Sequence, residues 1–201
     1  MSNGHPSNDP GAGPTTERRR FEPPLRIGVI GDTHIYPRSR RQLPDAVIEL
    51  FQRADPGLIV HLGDVNTRSV LDDLAYLAPL IAVHGNNDDD ELQVLLPRET
   101  SFTVGVHRFG VIHGHGGRSA RQVARETFAG KEDCALFGHS HQPLIEQVGD
   151  LLLFNPGSAT DRRWHDHFGV GIIDVTAERI DPEPIPYTSP DHLANISISA
   201  M

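Results

Sequence analysis

The sequence holds a single cysteine, Cys134. A lone cysteine cannot close an internal disulfide, so a reducing, cytoplasmic setting is expected. Cys134 sits in the apolar run Cys134-Ala135-Leu136-Phe137. It reads as a small buried hydrophobe and not as a nucleophile. No apolar run approaches the ~18 residues that span a membrane. The N-terminal stretch MSNGHPSNDPGAGPTTERRR lacks the apolar core of a secretory signal. Positive charge is also scarce. Lys and Arg number 18 against 27 Asp and Glu, a formal net charge of −9. That balance argues against a non-specific nucleic-acid binder, and no nucleic-acid module is apparent.

The 201 residues, 37% of them hydrophobic, suit one globular domain with a sizeable core. Residues 1–24 are rich in Gly, Pro, Ser and Asn and are expected to form a disordered tail. Residues 25–180 carry the domain. Residues 181–201 include Pro182, Pro184, Pro186 and Pro190 and read as an extended strap or tail.

Within the domain, apolar runs alternate with helical patterns. Residues 25–30, 58–62 and 80–83 read as strands. Residues 43–53 and 70–77 carry apolar side chains at helical spacing. Strand, helix, strand, helix, strand implies parallel βαβ units. Residues 101–106 and 108–112 read as an antiparallel pair and residues 119–128 as a helix. Further strands are expected at 134–137, 144–148, 151–154 and 170–175. So many apolar strands need both faces covered, which points to two packed sheets with helices outside.

Five of these runs end in a glycine next to a metal-ligand type. They are Gly31-Asp32-Thr33-His34, Gly63-Asp64, Gly85-Asn86-Asn87-Asp88, His113-Gly114-His115 and Gly138-His139-Ser140-His141. In open α/β sheets, ligands bind beyond the carboxyl ends of the strands. Asp32, His34, Asp64, Asn86, His113, His139 and His141 are therefore expected to converge. Carboxylate and imidazole donors without thiolates suit Mn, Fe, Zn, Ni or Co. Seven donors exceed one tetrahedral site and point to two divalent ions. Such a pair activates a water and clamps a phosphoryl group.

This ordered set of motifs resembles the calcineurin-like metallophosphoesterase superfamily. The short length and Asn155-Pro156-Gly157-Ser158 resemble its small YfcE/MJ0936-type phosphodiesterase branch, which also contains Vps29. The resemblance spans about residues 25–174 and implies a four-layer α/β/β/α sandwich, two packed mixed sheets flanked by helices. It also implies that Asp32, His34 and His141 hold one ion, that Asn86, His113 and His139 hold the second, and that Asp64 bridges them. Manganese is the first choice of metal. A hydroxide between the ions would attack a small phosphodiester or nucleotide. Asp88 would orient a ligand.

One position departs from the wider superfamily. Gly-Asn-His-Asp becomes Gly85-Asn86-Asn87-Asp88 here, and an amide cannot act as a general acid. Asn87 is then a substrate-binding residue, and His115 is the nearest alternative proton donor. Arg162, in the loop after residue 158, is a further candidate for substrate phosphate. His61 and His84 read as structural. Two other readings stay open: a non-catalytic Vps29-like protein-binding scaffold, and a metal-dependent nuclease or phosphomonoesterase. Self-association into a homo-oligomer is also left open.

Overall fold

The computed structural model describes residues 18–198. In chain order the first elements are β1 (Arg19–Phe21), β2 (Leu25–Ile30), α1 (Asp45–Ala54), β3 (Leu58–His61), α2 (Arg68–Leu77), β4 (Leu80–Ala82) and α3 (Asp90–Leu95). Then come β5 (Glu99–Val104), β6 (His107–Ile112), α4 (Ala120–Phe128), β7 (Cys134–Phe137), β8 (Leu144–Val148) and β9 (Leu151–Asn155). The chain continues through β10 (Phe168–Val175), β11 (Ile180–Tyr187) and α5 (Pro190–Ala194).

The strands form two mixed sheets. One runs β1-β5-β6-β7-β9-β8 and the other β11-β10-β2-β3-β4. Side chains alternate across a strand, so each strand feeds two layers. Ile27, Val29, Leu58 and Val60 point into a core shared with Phe102, Val104, Phe109, Val111 and Leu136 of the other sheet. The intervening Ile30 and Ile59 pack outward under α1 and α2. Ile112, Ala135 and Phe137 pack outward under α4. Helices thus cover both outer faces, giving the α/β/β/α sandwich. A Cβ at Gly110 would lie 2.5 Å from the Phe128 ring, so this glycine makes the room that seats α4.

Two terminal expectations change. Residues 1–17 and 199–201 lie outside the described residues. Residues 19–21, expected in the tail, instead form β1, parallel to β5. Arg18 makes a two-pronged pair with Glu132, and Phe21 packs edge-on against Phe102 at 6.0 Å. The first third of the expected strap belongs to β11, an eight-residue edge strand antiparallel to β10. Pro182, Pro184 and Pro186 recur every second residue. Their missing N–H groups therefore all fall on one side, and the ladder to β10 uses the residues between them. A proline-lined outer edge also blocks further strand pairing.

Strands β2, β3 and β4 are parallel, as are β6, β7 and β9. The carboxyl ends within each set lie along one edge of its sheet. Among the described residues no helix is long and apolar enough to cross a membrane.

Candidate metal centre

The loops after β2, β3, β4, β6 and β7 meet at this edge and are stitched by main-chain bonds. Asp32 N–H donates to Gly63 O at 3.0 Å, and His34 N–H to Asp64 O at 2.9 Å. Gly138 N–H donates to His113 O at 3.2 Å. The loop after β9 adds two buried ties: Ser158 Oγ donates to Asp32 O at 2.7 Å and Asn155 Nδ2 to Gly138 O at 3.1 Å. Asn155-Pro156-Gly157-Ser158 thereby fastens the first ligand loop to the last.

Asp32, His34, Asp64, His139 and His141 all adopt positive φ, between 46° and 66°. None is glycine, and each such conformation costs on the order of 1–3 kcal/mol. Strain of this kind, repeated at five ligand-type residues, marks the place where the fold gives up stability to aim side chains.

The side chains gather into two groups. Donor atoms of Asp32, His34 and His141 lie within 4.8 Å of one another, as do those of Asp64, His113 and His139. The groups adjoin. Asp64 Oδ2 is 3.6 Å from His34 Nε2 and 3.3 Å from His113 Nε2. Asp32 Oδ1 is 3.3 Å from His141 Nε2 and 4.0 Å from His113 Nε2.

Hydrogen bonds set the imidazole tautomers. His113 Nδ1 donates to Leu62 O at 2.8 Å, and His141 Nδ1 to Asp161 O. Each ring then aims Nε2 into the site, an arrangement suited to metal ligation. Among the described residues, the buried His113 Nε2 and His139 Nδ1 have no hydrogen-bond partner. His34 Nε2 and His141 Nε2 face each other at 3.1 Å. Two nitrogen lone pairs at that distance repel unless a proton or cation lies between them. The residues present therefore fit divalent cations.

The electrostatics agree. Burial alone would raise the Asp64 carboxyl, but His113 and two bonds from Asn87 outweigh it and hold the group well below the usual carboxylate range. Burial would lower His113, but Asp64 and Asp32 pull it upward. The site thus draws positive charge inward. Burial pushes His34 and His139 down, which favours the neutral, ligating form.

Asn86 lies exposed between Gly85 and Asn87. Gly85 is pressed against Asp64: a Cβ there would sit 2.0 Å from Asp64 Oδ1. Asn87 lines the cleft, yet its amide is directed at Asp64. Asp88 accepts three main-chain N–H bonds, from Asp64 at 3.1 Å, Gly85 at 2.8 Å and Asn66 at 2.7 Å. It ties the loops after β3 and β4 together, so it orients ligands through the backbone. Asp89 caps α3 by accepting from Leu92 N–H at 3.0 Å.

His115 rings the second group, its centroid 5.5 Å from that of His113 and 6.5 Å from that of His139. Arg98 Nη1 lies 3.1 Å from its Nε2. Burial first, then His113 and Arg98, push it down to about 4. Its Nε2 accepts from Arg98, which leaves the ring N–H on the buried Nδ1. His61 is buried between Thr33 and Gly63, as expected of a structural residue. His84 lies beside His115, ring centroids 5.9 Å apart.

Arg162 does not sit where the sequence suggested. Its guanidinium bonds His165 O and Asp166 O of its own loop and lies over Phe168. Arg163, one residue on, lines a cleft of about 410 Å³ together with Arg41, Tyr36, His34 and Asn87. Adjacent arginines carry no sequence signal that tells them apart. The positive φ of Arg163, 48°, decides which one turns toward the site.

The chain has relatives among known proteins. A probable metallophosphoesterase, MJ0623, of Methanocaldococcus jannaschii is 41% identical over 139 residues, 68% of this chain and 69% of that protein. Phosphodiesterase MJ0936 of the same organism is 28% identical over 145 residues, covering 66% and 83%. The crystal structure of Chaetomium thermophilum Vps29 superposes with a TM-score of 0.67 at 24% identity, covering 83% of this chain and all of that one. The model of the calcineurin-like phosphoesterase superfamily domain matches residues 25–178, a span that holds every ligand-type residue gathered at this sheet edge. By its sequence, the chain belongs to the calcineurin-like phosphoesterase superfamily.

Proposed function

We propose that the chain is a dinuclear-metal-dependent phosphodiesterase acting on a small phosphodiester or nucleotide. The observation that carries this reading is the pair of adjoining ligand groups, with Asp64 Oδ2 within 3.6 Å of a histidine from each. Asp32, His34 and His141 would hold one ion, Asn86, His113 and His139 the other, and Asp64 both. When bound, two such ions, Mn first among Mn, Fe, Zn, Ni and Co, lower the pKa of a water and neutralise phosphoryl oxygens.

The chain's own residues do the rest. Leu62 O and Asp161 O hold His113 and His141 in the tautomers that present Nε2. Asn87 fixes the Asp64 carboxylate. Arg41 and Arg163 offer guanidinium donors to phosphate oxygens, which planar forks bind well. His115 stands beside the second group with Arg98 on its Nε2. The names of the relatives MJ0623 and MJ0936 support the reaction class.

The test is hydrolysis of bis(p-nitrophenyl) phosphate by chelator-stripped protein before and after metal is restored. Activity should vanish on stripping and return with the metal. A protein that binds two ions and hydrolyses neither phosphodiesters nor phosphomonoesters would instead be a scaffold.

A further inference from the structure

The loop between β2 and α1 places Tyr36 two residues after His34. The two rings lie 6.4 Å apart with planes 28° from parallel. Tyr36 is nonetheless 47% exposed. A tyrosine placed so offers an amphipathic ring to whatever enters the cleft. The cleft it lines, about 410 Å³, is of a size that accepts small organic ligands. Arg41 also borders this space, 3.5 Å from Asp161 Oδ2. Among the described residues, the Arg163 guanidinium makes no hydrogen bond or ion pair. The cleft therefore combines a half-exposed aromatic ring with two guanidiniums next to the ligand group of Asp32, His34 and His141.

We propose that the organic substituent of the substrate is a planar aromatic ring system, an aryl group or a nucleobase, that stacks on Tyr36 while Arg41 and Arg163 take the phosphate charge. This rests on the phosphodiesterase reading and specifies its substrate class. A glycerol or simple alkyl substituent would leave the Tyr36 face unused. Stacking tolerates different rings, because every base and every arene presents a π face.

Three esters that share p-nitrophenolate as leaving group test this: the thymidine 5′-phosphate, phenyl phosphate and ethyl phosphate esters. A common leaving group holds the bond-breaking step nearly constant, so kcat/KM reads recognition of the other substituent. The ring-bearing esters should be favoured over the ethyl ester by roughly 5- to 150-fold, the span expected for one base–aromatic stack. Preference for thymidine alone would identify a nucleobase, and preference for phenyl alone an aryl group. Tyr36→Phe should keep the preference and Tyr36→Ala should lose it. Because every ester also carries the p-nitrophenyl ring, equal kcat/KM for all three with no loss in Tyr36→Ala, or a preference that survives Tyr36→Ala, would overturn the proposal. Calorimetric binding of thymidine 5′-monophosphate, phenyl phosphate and methyl phosphate to metal-loaded protein separates the two failures. Ring-selective binding with no ester hydrolysed leaves the recognition standing and removes the phosphodiesterase reading. Hydrolysis of all esters without ring selectivity does the reverse.

Discussion

Asn87 grips both oxygens of Asp64: its main-chain N–H donates to Oδ1 at 2.9 Å and its side-chain Nδ2 to Oδ2 at 2.7 Å. Oδ2 is also the atom between His34 and His113. Position 87 therefore acts on the carboxylate placed between the two ligand groups. A hydrogen bond to a charged group contributes about 1.5–3 kcal/mol. Asn87→Ala should weaken metal binding or turnover by roughly 10- to 150-fold, with the fold intact. Titration of metal affinity and kcat checks this.

The same contact bears on the leaving group. An amide cannot protonate it, and general acid catalysis contributes about 10²- to 10⁴-fold where present. Activated aryl diesters should be hydrolysed much faster than alkyl ones. Because the side chain at 87 is turned onto Asp64, Asn87→His should leave this dependence steep. A leaving-group series on both proteins measures it, and a flattened slope in the variant would show that position 87 reaches the leaving oxygen.

The gathering of Asp32, His34, Asp64, His113, His139 and His141 was readable in the sequence because each stands in a glycine-containing turn at the end of a buried strand, and parallel strands end on one side. Helix and strand positions followed from apolar periodicity for the same reason. What escaped had no periodic signal. β1 is a three-residue strand made of Arg19, Arg20 and Phe21, and prolines at every second position disguised β11. The clamp by Asn87, the three-way acceptance by Asp88 and the choice of Arg163 over Arg162 depend on loop backbone angles, which composition does not encode.

Asp88 serves main-chain donors on two loops, so its loss leaves buried N–H groups unpaired. Each such group costs about 1–3 kcal/mol. Asp88→Ala should destabilise the metal-free protein by roughly 2–5 kcal/mol, read as a lower urea midpoint. A change within ±0.5 kcal/mol, the range of ordinary surface substitutions, would show that these bonds do not hold the loops.

Acid should loosen the same region through His61. Burial pushes this ring from its ordinary 6.5 down to about 4. Gly63 N–H donates to its Nδ1 at 3.2 Å, so protonating Nδ1 breaks the bond next to Asp64. The folded value lies below the unfolded one, so the unfolded chain takes up the proton first as pH falls. Stability is therefore full above about 6.5 and is lost progressively toward about 4, by roughly 3 kcal/mol in total. Urea unfolding of metal-free protein at pH 7.5, 6 and 5 should show the decline, and His61→Gln should make it shallower.

Gly85 permits the closest approach in the site. Gly85→Ala would drive a methyl group to 2.0 Å from Asp64 Oδ1 and 2.6 Å from Asp64 N. Neither atom can yield without moving the carboxylate, so metal binding should fall by more than tenfold. A variant that loads metal normally would mean the loop shifts freely.

The most direct measurement is the number of ions each chain holds. Metal-stripped protein, reloaded with Mn and freed of excess, should contain two ions per chain by elemental analysis. Asp64→Asn, which weakens the oxygen donor shared by both groups, should hold fewer. One ion or none in the unaltered protein, under conditions that fill a control dinuclear enzyme, would contradict a two-metal centre built on Asp64.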